Sequence, residues 1–278
     1  MVIRARCITD PACVWSWASE PAVRGLMTEF GAGLEWTFTM GGLAREFPPG
    51  GLVPQWLEAS AETGMPTDPR VWFDGPMSSS YPACMAVKAA AEQAADGGYS
   101  YLRALREGIF CHGRKLDTTE ALVEEARGAG LAVDRFRVDL GSHAIVESFG
   151  SDLEIARDVP PEARDAGKVR CSPAVDQERV PLPTLRFEGE GGEVRWLFGY
   201  AAPEDCRDAA LAVGAEPSGD RRPGVLDALR RFGRMAVPEL AVVCDLPAPR
   251  VDSELAQLAL EWRVRPVPVL AGRLWEPA

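Results

Sequence analysis

The segment Asp10-Pro11-Ala12-Cys13-Val14-Trp15-Ser16-Trp17 places a cysteine at the junction of two different hydrophobic periodicities. Residues 2–8, Val-Ile-Arg-Ala-Arg-Cys-Ile, carry the mixed alternation of a strand, and Thr9-Asp10-Pro11 interrupts it. From Val14 to about Phe30 the apolar residues recur at helical spacing. Pro21 falls inside that run and is expected to kink the helix, because its ring removes a donor and clashes with the preceding turn. A cysteine where a strand turns into a helix sits beside unpaired N–H groups and the positive end of the helix dipole. Both favour the thiolate, the reactive form, so Cys13 is the candidate nucleophile. Ser16, three residues on, shares its helix face and could donate a hydrogen bond to the Cys13 sulfur. It cannot close a disulfide, so a mixed disulfide on Cys13 would need an outside thiol to resolve it.

Working outward, Leu34 to Met40 alternates apolar residues with Glu and Thr as a half-buried strand, closed by Gly41-Gly42. Helical runs are expected at 80–96, 98–111, 117–129 and 140–157, followed by a polar stretch around 158–180. Strands return at Leu182–Phe187 and Val194–Phe198, joined by Glu-Gly-Glu-Gly-Gly, and a helix follows from Pro203 to Val213. The order is βαβ, helical block, ββα. A linker, Pro217-Ser-Gly-Asp-Arg-Arg-Pro-Gly224, then leads to short helices at 224–233, 237–244 and 248–263 and a hairpin from Val264 to Trp275. That is the order of a winged helix. The expected division is a core of residues 1–55 and 165–216, an inserted helical domain at 56–164, and a winged-helix-like module at 220–278.

Composition narrows the chemistry. The 278 residues, 46% of them hydrophobic, exceed one average domain and can bury a substantial core. No leader-like or membrane-length apolar run occurs, so a soluble, cytoplasmic protein without membrane contact is expected. Seven cysteines without a close pair fit neither a disulfide framework nor a zinc site, and two histidines give little for metal or triad chemistry, so no metal is expected. The net charge of −11 argues against a general polyanion binder.

The segment around Cys13 resembles the Asp-Pro-x-Cys-x-Trp-Cys-Trp signature of DsbA-like proteins of the FrnE type, and departs from it at Ser16. The likeness runs through Glu20-Pro21, Gly41-Gly42-Leu43, Ser79-Ser80-Tyr81-Pro82-Ala83-Cys84 and Leu182-Pro183-Thr184-Leu185, covering roughly residues 2–215. It implies an α/β thioredoxin-like fold with an inserted helical domain, and a cis-proline facing the cysteine. On that resemblance Pro183 is the cis-proline, with Pro181 the competing assignment. Leu182 then offers backbone hydrogen bonds to an extended substrate by strand addition, and Val14 and Trp15 touch it.

Three functions from different classes follow. In a monothiol thiol–disulfide oxidoreductase or isomerase, Cys13 attacks a protein or small disulfide and Ser16 and Pro183 support the chemistry. A non-redox transferase or isomerase resembling the kappa-class glutathione transferases would require a bound low-molecular-weight thiol such as glutathione; otherwise no cofactor is expected. An adaptor or regulator would instead recognise a protein partner. The monothiol enzyme is the preferred expectation.

Blander roles stand beside these. At least one of Trp15 and Trp17 is expected in the core, Cys84 is expected to be structural rather than a remote resolving thiol, and Asp10 can be plain turn chemistry. His112 is expected at a helix C-terminus, where a cation is favoured anyway. In the C-terminal module Arg250, Arg263, Arg265 and Arg273 invite a nucleic-acid reading. From Asp220 onward, however, nine arginines meet eight carboxylates, leaving +1, so domain packing or a homodimer contact is favoured.

Overall fold

The computed structural model describes residues 2–172 and 177–278. Residues 173–176, within the polar stretch and the expected second core segment, lie outside the described residues. Strand β1 (Ile3–Thr9) buries Ile3, Ala5, Cys7 and Ile8, which fits a central strand covered on both faces. The long helix expected after Cys13 is two helices, α1 (Val14–Ala18) and α2 (Glu20–Phe30), divided at Ser19. Pro21 therefore kinks nothing: it occupies the first turn of α2, where its missing N–H would have no intrahelical partner. Strand β2 (Leu34–Met40) runs parallel to β1, with Cys7 opposite Phe38.

The helical block comprises α3 (Val53–Thr63), α4 (Val71–Asp74), α5 (Tyr81–Ala91), α6 (Tyr99–His112), α7 (Thr119–Gly128), α8 (Val133–Leu140), α9 (His143–Arg157) and α10 (Pro161–Asp165). A small antiparallel pair, β3 (Arg170–Ser172) with β4 (Gln177–Arg179), leads back to β5 (Thr184–Glu188), β6 (Val194–Phe198) and α11 (Pro203–Leu211). Among the described residues the main sheet has the order β2-β1-β5-β6, with β5 antiparallel to both neighbours. This is the thioredoxin arrangement, with helices inserted between β2 and β5. Strand β5 starts at Thr184 rather than Leu182, because Leu182–Pro183 forms a cis peptide just before it.

The C-terminal unit contains α12 (Val225–Phe232), α13 (Val237–Cys244), α14 (Ala248–Leu260) and the hairpin β7 (Val264–Val269)–β8 (Gly272–Pro277). Helix α14 is three residues shorter than the run expected to Arg263, since Trp262 adopts a positive φ of 57° and ends the helical path. The unit has its own core, including Leu229, Leu240, Val251 and Leu255. It also packs closely on α2, where Gly25 faces Val242; a Cβ at Gly25 would lie 2.5 Å from Val242 Cγ1.

A buried ion cluster ties the three parts together. Glu20 and Arg24 come from α2, Arg103 and Arg106 from α6, and Glu239 from α13, all at most 5% exposed. Arg24 lies 2.9 Å and Arg103 3.1 Å from Glu239, Arg106 holds Glu20, and the Tyr99 hydroxyl donates to Glu20 at 2.7 Å. Burial pushes the Glu20 carboxyl up, but Arg106, Arg103 and Arg24 together outweigh it and hold it below the usual glutamate range. Arg106 also donates to Thr9 Oγ1, at the end of β1, so the cluster reaches the start of the Cys13 loop.

Candidate functional site around Cys13 and cis-Pro183

The loop from β1 to α1 is built on Asp10, which is fully buried. Its carboxylate accepts from Ala12 N–H at 2.8 Å, Leu43 N–H at 2.5 Å, the Ser80 hydroxyl at 2.8 Å and the Cys84 thiol at 3.2 Å. One side chain thus joins the Cys13 loop, the segment after β2 and the start of α5. Burial raises its pKa, and these four donors pull it back. Cys84, the donor here, is fully buried, and that burial pushes its thiol well up.

Cys13 caps α1 with extended backbone, and its side chain is 4% exposed. Its thiol donates to the Leu182 carbonyl at 3.3 Å, so the cysteine faces the cis Leu182–Pro183 bond. Gly41, just after β2, makes room for the Leu182 side chain, since a Cβ there would lie 2.6 Å from Leu182 Cδ2. Burial pushes the Cys13 thiol above the ordinary cysteine value. Ser16 and, more weakly, Arg179 pull it down, while Asp10 adds to the rise. Ser16 is near enough to favour a thiolate, yet its Oγ is buried without a hydrogen-bond partner among the described residues while the thiol is engaged with the Leu182 carbonyl. Helix α1, only five residues long, also aligns few peptide dipoles behind the sulfur. The competition between desolvation and dipole thus goes to desolvation, and all seven cysteines are free thiols.

Around the sulfur lies a mixed apolar surface. Ile8, Val180 and Leu182 pack with Cys13, and Trp15, Leu43, Trp196 and Phe198 adjoin them half-buried. Trp196 and Phe198 stack at 5.5 Å, and Trp15 tilts against Tyr200 at 5.7 Å. Trp17 is core: fully buried, stacked on Phe110, with Nε1–H donated to Pro66 O at 2.9 Å. Val14 is 2% exposed in the main core, so a ligand would meet its backbone rather than its side chain. Trp196, Phe198 and Tyr200 were absent from the sequence reading; the alternation along β6, which puts Trp196 and Phe198 on one face, was the available signal.

Elsewhere, His112 ends α6 and contacts Glu107 at 3.3 Å. In the C-terminal unit Arg250 pairs with Glu254, Arg263 with Glu261 and Arg265 with Glu276. The β7–β8 turn is held by reciprocal backbone bonds between Ala271 and Thr67, of 3.0 and 3.2 Å. Three of the four arginines singled out are thus neutralised locally, exposed Arg273 has no carboxylate partner among the described residues, and the turn is engaged within the chain. No helix among the described residues is long and apolar enough to cross a membrane.

A four-stranded sheet with a strand-to-helix cysteine opposite a cis-proline defines a thioredoxin-fold protein. The thioredoxin family model matches residues 7–161, and the chain belongs to that family. Over 278 aligned residues it is 27% identical to the ClpXP adapter protein SpxH of Bacillus subtilis, spanning 96% of this chain and 86% of the relative. The ClpXP adapter protein SpxH of Halalkalibacterium halodurans is likewise 27% identical, over 96% of this chain and 86% of its own. Among solved structures, the cytosolic disulfide reductase DsbM of Pseudomonas aeruginosa shares the fold with a TM-score of 0.55 and 20% identity, over 74% of this chain and 95% of its own.

Proposed function

We propose that the chain is an adapter: it holds an extended segment of a protein partner against Leu182, cis-Pro183 and the aromatic surface beside Cys13, and delivers that partner to a ClpXP-type protease. The observation that carries this reading is the state of Cys13. A thiol that is 4% exposed, pushed upward by burial and hydrogen-bonded to the very carbonyl facing it is suited to shaping a docking surface rather than to attacking a disulfide. The surrounding half-buried aromatics supply the anchors that peptide recognition favours. The extent of the likeness supports the same reading. The SpxH relatives align with 96% of the chain, which takes in most of the C-terminal unit, whereas DsbM covers 74%. The reading needs no cofactor and belongs to the cytoplasm, and the paired arginines of the C-terminal unit give it no nucleic-acid step.

The test is partner capture by the tagged, full-length chain, followed by partner lifetime in the presence of ClpXP. Wild type should retain a protein and shorten its lifetime, and Trp196→Ala with Phe198→Ala should lose both effects. Capture that is indifferent to the aromatic pair would contradict the proposed face. A monothiol oxidoreductase is the second reading, favoured by the position of Cys13 opposite cis-Pro183 and by Ser16 and Arg179 lowering its pKa. It predicts disulfide reduction that Cys13→Ser abolishes.

A further inference from the structure

Next to the docking face is a narrow cleft, lined by Gly42, Tyr81, Arg45, Arg157, Glu178 and Arg179, that shares Gly41 and Leu43 with the Cys13 surroundings. Its shape depends on Gly42, whose φ is +60° and where a Cβ would lie 2.6 Å from Leu153 and 3.0 Å from the Tyr81 ring. Its charge is unusual for a chain of net charge −11. Arg45 is exposed, Arg157 donates only to the Tyr81 hydroxyl at 3.4 Å, and Arg179 donates to Val180 O at 2.9 Å. Arg170, opposite Arg179 across β3–β4, lies outside the lining but adds positive charge that acts on Arg179. The one carboxylate in the lining, Glu178, is drawn away to Arg164 at 2.6 Å. None of Arg45, Arg157 and Arg179 has a carboxylate partner among the described residues, although elsewhere the fold pairs its arginines freely. Arg179 is half-buried, and that burial pushes its pKa down. A half-buried guanidinium with no direct carboxylate partner is costly, and planar guanidiniums take carboxylates in bidentate pairs. The backbone beside it is open as well, since Leu182 N–H has no partner among the described residues.

We infer that Arg45, Arg157 and Arg179 read acidic side chains in the docked partner, so that the segment recognised on Leu182 and cis-Pro183 carries Asp or Glu where it passes the cleft. This rests on the adapter reading and names the chemistry of its partner. The apolar surface beside Cys13 anchors the segment, and the arginines select it by charge.

The test uses the full-length chain and two fluorescein-labelled peptides of the same β-branched sequence, one with a central Glu-Glu-Glu and the other with Gln-Gln-Gln. Fluorescence anisotropy should show the Glu peptide binding about tenfold more tightly, a preference that shrinks as salt rises. Arg45→Glu, at an exposed position where folding is not at stake, and Arg157→Gln should each reduce the preference severalfold with unchanged thermal melting. Glutathione, which carries two carboxylates but little extended backbone, should not displace the label at matched concentration. Equal binding of the two peptides, binding of neither, an unaltered preference in both variants, or efficient displacement by glutathione would overturn the inference. The two proposals fail separately. A partner captured equally by wild type and Arg45→Glu would end this inference and leave the adapter reading intact, whereas absence of any partner would end the adapter reading while the peptide pair still decides the role of the arginines.

Discussion

Glu239→Gln removes one charge from the buried cluster joining α2, α6 and α13 while keeping the side chain nearly isosteric. In the native fold Glu239 faces Arg24 at 2.9 Å and Arg103 at 3.1 Å, and it accepts the Ala236 N–H at 2.7 Å, capping α13. At about 3 Å and an effective dielectric of about 20, each ion pair is worth on the order of 5 kcal/mol before desolvation is subtracted. Once Glu239 is neutral, Arg24 and Arg103 retain only Glu20, at 3.8 Å from each, and Glu20 is already held by Arg106. Three buried guanidiniums would then share one carboxylate. The glutamine oxygen can still cap α13, which leaves a net loss of about 3–5 kcal/mol, as for buried pairs deprived of one partner. Urea unfolding followed by tryptophan fluorescence and far-ultraviolet circular dichroism reads this directly, with the C-terminal unit loosening first. As a control, Arg250→Gln breaks the exposed Arg250–Glu254 pair and should cost less than about 1 kcal/mol. Replacing Glu239 with Leu and both Arg24 and Arg103 with Met should recover much of the loss, since it removes charges rather than stranding them. A loss below about 1 kcal/mol in Glu239→Gln, no larger than the control, would refute the claim that the cluster holds the unit in place.

Gly25→Ala should destabilise the chain by about 1–3 kcal/mol in thermal melts although alanine is the better helix former, because Val242 Cγ1 is short, stiff and only 2.5 Å from the added methyl. Trimming Val242 to Ala in the same chain should reverse the sign, and a stabilised Gly25→Ala alone would contradict the close docking of α13. Urea midpoints should fall at both ends of the pH scale. Glu20, held low by Arg106, Arg103 and Arg24, and Glu107, held at about 2 against its burial by the His112 hydrogen bond and then by Arg103 and Arg234, contribute stability that is present above the unfolded glutamate value of about 4.3 and lost as pH falls through their folded values. Cys7 and Cys206, pushed up by burial to about 12, together with Cys13, contribute below the unfolded thiol value of about 8.5 and lose that contribution as pH rises above it. A flat profile from about pH 3 to about pH 10 would contradict these directions. With the other six cysteines replaced and folding verified, iodoacetamide labelling of Cys13 should have its midpoint above the ~8.5 of a free cysteine; a midpoint near 7 would restore a poised thiolate.

Local pattern carried much of the fold. The strand before Cys13, the glycine pair after β2 and the hairpin of β5 and β6 are short-range signals that lie close to where the sequence indicated, whereas the cis-proline at 183 was legible only through the family resemblance. The helix after Cys13 was read as continuous because hydrophobic spacing does not register the break at Ser19, where the Ser19 hydroxyl bonds back to Trp15 O. That break matters for function, since it shortens the helix behind the thiol. Helices α3 and α8 escaped because their few buried side chains, such as Trp56 and Phe136, make weak stripes. The site itself was legible only in part. Cys13 and Leu182 are marked by their neighbours in sequence, but Arg45, Arg157 and Arg179 come from three separate segments and converge only through the fold. Glu20 and Arg24 look like an ordinary surface pair one helical turn apart, and nothing local reveals that Glu239 completes them.

If Cys13 shapes a binding face rather than performing redox chemistry, as proposed, its sulfur is dispensable and Cys13→Ser should leave function intact. Partner capture and partner lifetime with ClpXP should be measured for wild type and Cys13→Ser side by side, together with reduction of a model disulfide by each. Cys13→Ser is expected to capture the partner and shorten its lifetime as wild type does, with no reductase turnover from either protein. Loss of capture in a folded Cys13→Ser chain, or wild-type turnover that the substitution abolishes, would contradict it.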